Sequence, residues 1–185
     1  MLKWGGGYKH LVYKTGTNVK LINKAEYCQS VIADGKELIT GNERGEIRAP
    51  ELKDGNVFII FKEGITDFTD AFSSCRTLTS IPENLFANCP EVTNFSNAFY
   101  GCWALKSIPK NLFDNNRKVT TFSSTSFSCG SLTGESPYTM VKGKKVHLYE
   151  RKNYPEHFTV PTSFSSCFYG CAGLSDYAQI PSDWK

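Results

Sequence analysis

The sequence predicts a β-rich α+β fold, in which a small, mostly antiparallel β unit over residues 1–64 leads into a short repeat solenoid over 65–185. Three observations predict it. Residues 65–86 return 27 positions later as 92–113, and a third copy opens at Val119. The apolar residues keep one phase through the copies, as in Phe68/Phe95/Phe122, Cys75/Cys102/Cys129 and Leu78/Leu105/Leu132. Self-similarity at a period of roughly 20–50 residues marks stacked supersecondary units, each unable to bury its apolar face alone. Before residue 65 there is no copy, only brief apolar runs separated by turn signals.

Taken in order, the first unit reads as short strands. Residues 10–14 and 19–22 are the first two runs, and residues 30–40 carry Asp34-Gly35, a pair that favours a tight hairpin turn. Residues 57–61 lie between Asp54-Gly55 and Gly64. Such a unit can anchor the chain, cap the array, or do both.

Within the second copy the inward phase is Val92, Phe95, Phe99, Cys102, Leu105, Ile108, Leu112 and Phe113. Each large member contributes about 1.5–3 kcal/mol when buried. Residues 80–86 and 107–113 place a capping Ser and an early Pro before an apolar pair, which predicts one or two helical turns per copy. The third copy departs after Leu132. Residues 134–158 replace its helix start with two β-rich runs flanking Lys142-Gly143-Lys144-Lys145, which predicts an inserted hairpin. The pattern resumes at Phe164, offset by 69 from the second copy, and Trp184 takes the place of Leu85 and Leu112, where it is expected to close the last apolar face.

Residues 92–108, with their Phe, Gly-Cys and Leu-x-x-Ile spacing, resemble the repeats of BspA-like bacterial leucine-rich-repeat proteins. The resemblance covers roughly 65–133 and 164–181. It implies a leucine-rich-repeat-like solenoid and a non-enzymatic module of bacterial surfaces or phage structural proteins. It carries over no catalytic residue.

Composition narrows the function classes. With 40% hydrophobic and 14% aromatic residues the chain is no disordered segment. A net charge of +3, dispersed along the chain, lacks the concentrated basic footprint of a nucleic-acid binder. No stretch approaches the ~20 apolar residues of a membrane span, and no apolar leader precedes the first unit. The chain is therefore expected to be made in a cytoplasm. Set beside a surface-type repeat, this gives a phage virion component as the expected identity (tail, fibre or capsid surface), with residues 1–64 docking to other virion proteins. The alternative is a bacterial cell-surface or secreted adhesin binding a host protein or glycan. A homo-oligomer stays open.

The candidate chemistry weighs toward structure. Seven cysteines, several at one repeat phase, read as reduced buried thiols rather than as disulfides or zinc ligands. Asp67 and Asp70 become Asn94 and Asn97, then Thr121 and Ser124, so the position asks for small polar side chains and not for charge. Gly5-Gly6-Gly7 lacks the Lys-Ser/Thr of a phosphate loop and reads as a turn or close-contact strand. No catalytic, metal or cofactor residue is expected. Candidate partner-binding residues are those that break the pattern. Arg76, Tyr100, Trp103 and Tyr169 occupy variable phases, while Lys144, Lys145 and Tyr149, with Arg151 nearby, belong to the insertion.

Overall fold

The computed structural model describes residues 10–39 and 44–185. Gly5-Gly6-Gly7 and Thr40 lie outside them. The strands are β1 (Leu11–Tyr13), β2 (Gly16–Ile22), β3 (Cys28–Ala33), β4 (Lys36–Glu37), β5 (Ile47–Leu52), β6 (Asn56–Phe61), β7 (Leu78–Ser80), β8 (Tyr138–Val141) and β9 (Lys144–His147). β2 and β5 form one antiparallel pair, β8 and β9 another, and the remaining strands make a five-stranded sheet of order β4-β3-β6-β1-β7.

Turn chemistry places the first strands. Asp34 and Gly35 both have positive φ, 48° and 71°, as a two-residue hairpin turn between β3 and β4 requires. The Asp34 carboxylate then accepts the N–H groups of Lys53 (2.8 Å) and Asp54 (3.1 Å), tying this turn to the one that follows β5. Those backbone donors hold its pKa below the ordinary carboxylate value. Gly55 is required on two counts: its φ is 78°, and a Cβ there would lie 2.6 Å from the Tyr13 carbonyl oxygen.

The expected leucine-rich-repeat-like solenoid of strands and helix stubs is corrected by the structure. Helix is confined, among the described residues, to three short 3₁₀ segments, Ala25–Tyr27, Leu148–Asn153 and Ser182–Trp184. The only strand within 65–133 is β7, and it pairs antiparallel with β1. Adjacent copies meet at isolated bridges, Asp67 with Asn94, Asn94 with Thr121 and Thr121 with Ser163. The class is therefore β-rich, built from several antiparallel sheets and a stack of turns, and not α+β.

The reason is local. Each copy holds two residues with left-handed backbone, Asp70 and Ser74, Asn97 and Gly101, Ser124 and Ser128, then Ser166 and Gly170. Two such reversals per copy end any extended run, and small polar side chains or glycine tolerate them best. After the Ile-Pro pairs the chain closes only i→i+3 turns, with Leu85 N–H donating to Pro82 O and Leu112 N–H to Pro109 O. One turn fixed by one bond does not propagate a helix.

The turns stack in register. Phe68, Asp70, Phe72 and Ser74 donate their N–H groups to the carbonyls of Asn94, Ser96, Ala98 and Tyr100. Phe95, Asn97, Phe99 and Gly101 repeat this toward the third copy, and Phe122, Ser124, Ser126 and Ser128 toward the last. Inside, Phe68, Phe95 and Phe122 stack at 5.7 and 6.2 Å between centroids, with Phe86 and Phe113 wedged between them. Trp184 is buried and lies parallel to Phe164 at 4.7 Å, covering the last layer.

Among the described residues one large core runs from Leu11 to Trp184, and a small second cluster of Val141, Val146 and Phe158 sits under the inserted hairpin. Asn23 crosses from the first unit to the first copy, its side-chain amide donating to the Asp70 and Ser73 carbonyls at 2.7 Å each. The sheet does the same through β1 and β7. The 64/65 boundary marks where the repeat begins, and packing continues across it.

Candidate functional site

Repeat register puts equivalent residues of adjacent copies about 4.8 Å apart, the spacing of neighbouring strands. At the phase of Ser73 the later copies carry Tyr100, Phe127 and Tyr169. Their rings stack face to face, Tyr100 on Phe127 at 4.8 Å and 4°, Phe127 on Tyr169 at 4.8 Å and 14°. Tyr100 is 38% and Tyr169 53% exposed, so this aromatic ladder stands on the surface. Ring faces cover one another, while edges and the two tyrosine hydroxyls are left for a partner.

Phe127 was missed by the reading of the sequence, although its signal was there. It sits 27 residues after Tyr100, and at this phase it completes the stack.

Three positions further along each copy the phase reads Arg76, Trp103, Gly130 and Ala172. The Arg76 guanidinium lies over the Trp103 ring at 4.4 Å. Trp103 is 53% exposed. Its neighbour at this phase in the following copy is Gly130, which has no side chain to cover the indole face turned away from Arg76. Together with the ladder this makes a ridge of four aromatic rings and one arginine.

The insertion leaves that ridge uncovered. Tyr138 N–H donates to Lys110 O, Thr139 Oγ1 to the Asp114 carboxylate at 2.7 Å and, just past the insertion, Thr159 N–H to Arg117 O, all on the 110–117 limb of the second copy. Of its candidate residues, Lys145 pairs with Glu135 at 2.6 Å and lies 4.7 Å over the Tyr138 ring. Lys144 is exposed, in register with Val141. Tyr149 turns inward: it stacks on His147 at 5.1 Å, meets Trp184 edge-on at 6.3 Å, and burial raises its phenol to about 12. Arg151, grouped by sequence with this basic segment, is fully buried.

A Ser-His-Asp grouping exists within the fold. Ser136 Oγ lies 2.9 Å from His147 Nδ1 and 2.5 Å from Asp176 Oδ2, while His147 Nε2 faces Glu135 at 3.5 Å. A nucleophile needs its proton taken by a histidine that the acid in turn orients. Here the acid binds the serine directly, and Ser136 is sealed from solvent. The cluster fastens β9 to the segment around residue 176.

Of the two acidic residues, Asp67 is a backbone brace and Asp70 is a left-handed turn position, with φ 59°. Asp67 accepts from Thr69 N–H at 2.6 Å and Asn94 from Ser96 N–H at 2.8 Å, the same turn with either side chain. Among the described residues no group of His, Cys, Asp and Glu is arranged to hold a metal ion.

All seven cysteines are free and buried. Along the repeat their thiols donate to the preceding layer, Cys102 to Phe72 O (3.1 Å), Cys129 to Phe99 O (3.0 Å) and Cys171 to Ser126 O (3.0 Å). Burial pushes Cys28 and Cys75 up to about 12 and Cys89 and Cys171 up to about 11. Because the thiolate is the reacting form, native protein at neutral pH should react with a disulfide reagent only as fast as it opens. Timed labelling should therefore give seven thiols together in denaturant and very slow modification without it. Several thiols reacting rapidly in native buffer would contradict the buried ladder.

Comparison with family models, with curated proteins and with solved structures gives no match. Among the described residues no helix is long and apolar enough to cross a membrane.

Proposed function

We propose that this chain is a non-catalytic recognition protein whose contact surface is the ridge of Tyr100, Phe127, Tyr169 and Trp103 with Arg76. The observation that supports it most is the exposure of Tyr100, Tyr169 and Trp103, two of them held in one stack by half-buried Phe127. Rigid aromatics and arginine give large contact area at small entropic cost and dominate recognition surfaces. In-register stacking fixes them further, so little order remains to be lost on binding.

The setting we propose is the surface of a phage virion, acting in host attachment or assembly. Its support is the resemblance of 65–133 and 164–181 to BspA-like repeats. Structural phage genes flanking the coding sequence are the expected finding, and a flanking secretion or adhesin operon would contradict this setting.

The ridge is tested by labelled protein on a panel of bacterial cells. Replacing Tyr100 and Tyr169 by Ser, the residue that the first copy has at position 73, and Trp103 by Ala, the residue that the last copy has at 172, should reduce attachment to background with the circular dichroism unchanged. Full attachment by a folded triple variant would remove the ridge as the contact surface.

A further inference from the structure

The arginine that covers Trp103 also lines a cleft. A cavity of about 470 Å³ opens between β2 and the first copy, bordered by Thr17, Lys20, Arg48, Ser74, Arg76 and Thr77. That volume lies within the range of small-ligand pockets, roughly 300–1,000 Å³. Three cations border it against one neighbouring carboxylate. Glu46 pairs with Arg48 at 2.7 Å and lies 3.7 Å from Lys20. Arg48 also donates to Asn18 O at 2.8 Å, which fixes its fork at the rim. Arg76 forms no ion pair among the described residues, and its guanidinium rests on the Trp103 ring.

The rest of the lining is threonine and serine side chains, Asn18, Val19 and backbone. Val19 is its one aliphatic side chain apart from the threonine methyls. An anion carried on a polyhydroxylated frame meets cations and hydroxyls together there, and the CH faces of a sugar meet the apolar part of the wall. Beyond Arg76 the exposed indole supplies the apolar plane on which a sugar ring packs.

We propose that the cleft and Trp103 form one site for an acidic oligosaccharide. A carboxylate or phosphate substituent sits between Arg48 and Arg76, and a neighbouring sugar unit lies along Trp103. This rests on the reading of the ridge as a recognition surface and names its ligand class. Both anionic groups share the chemistry that arginine recognises through paired N–H donors.

Calorimetric titration of the full chain with trigalacturonate, its methyl ester and glucose 6-phosphate tests it. Trigalacturonate should bind at least about tenfold more tightly than the ester, as one charge-assisted contact implies. Arg76→Gln should erase that difference, and Trp103→Ala should weaken both acid and ester. Glucose 6-phosphate binding above trigalacturonate assigns the anion as phosphate, and the reverse as carboxylate. Equal affinities for acid and ester together with no binding of glucose 6-phosphate, or Arg76→Gln and Arg48→Gln variants indistinguishable from wild type, would overturn the site. If none of the three probes binds while cell attachment still depends on Tyr100, Trp103 and Tyr169, the saccharide assignment falls and the ridge stands. If attachment is also insensitive, both fall.

Discussion

Arg151→Ala is expected to destabilise the protein by about 3 kcal/mol or more, reading out as a lower urea midpoint with an unchanged slope. The side chain is fully buried. Its two terminal nitrogens donate to Asn116 O and Phe113 O at 2.9 Å each, and its guanidinium lies over Phe158 at 4.4 Å and Phe122 at 5.5 Å. It thus pins the 3₁₀ segment Leu148–Asn153 to the second and third copies. Two effects oppose each other. Removing a buried cation relieves a desolvation cost of several kcal/mol. Alanine, however, empties a large volume and leaves the buried Asn116 carbonyl without its donor, at about 1–3 kcal/mol, while Phe113 O keeps the Asn116 N–H. The second effect wins for alanine. Methionine refills most of the volume, so Arg151→Met should lose roughly half as much. A loss below about 1 kcal/mol for Arg151→Ala would contradict the pinning role.

Burial pulls the Arg151 pKa below the ordinary arginine value, a desolvation cost that the two backbone acceptors and the two ring faces offset.

The second large effect is expected at Phe95. Its ring is sealed from solvent and meets four others: Phe68 at 5.7 Å, Phe86 at 4.8 Å, Phe113 at 4.9 Å and Phe122 at 6.2 Å. Phe95→Ala should cost about 3–5 kcal/mol, because the in-register backbone bonds on both sides hold the layers apart and limit collapse. For a chain of this size that is a fall in Tm on the order of 10 °C. Phe95→Leu keeps most of the volume and should cost about 1–2 kcal/mol. Calorimetric scans of the two variants check the order. Equal losses would mean that ring stacking, and not filled volume, holds the layers.

What the repeat made legible was phase. Residues separated by 27 share an environment, so Phe68, Phe95 and Phe122, together with Cys75, Cys102 and Cys129, read inward from sequence alone and are buried. The same arithmetic explains Asp67 and Asp70 as turn residues and would have found Phe127. Phase does not report conformation. The Ile-Pro segments carry helix-start residues yet form turns, because the backbone reverses twice in each copy. It was also silent on contacts outside the period. Nothing in the spacing of Tyr149 and Arg151 shows that Trp184, Phe113 and Asn116 would receive them. Likewise Lys20, Arg48 and Arg76 border one cleft because the end of β2 docks on the first copy through Asn23 and the Leu21 carbonyl, contacts that lie outside the period.

The aromatic ridge is the central claim, and oxidative footprinting of the bound protein addresses it directly. Wild-type chain is exposed to hydroxyl radicals alone and after attachment to bacterial envelopes, and oxidation is counted at each side chain. Protection is expected at Tyr100, Trp103 and Tyr169. Met140, 56% exposed on the inserted hairpin, should oxidise equally in both states. Bound protein in which Met140 is protected while the ridge oxidises as before would place the contact on the hairpin and contradict the account.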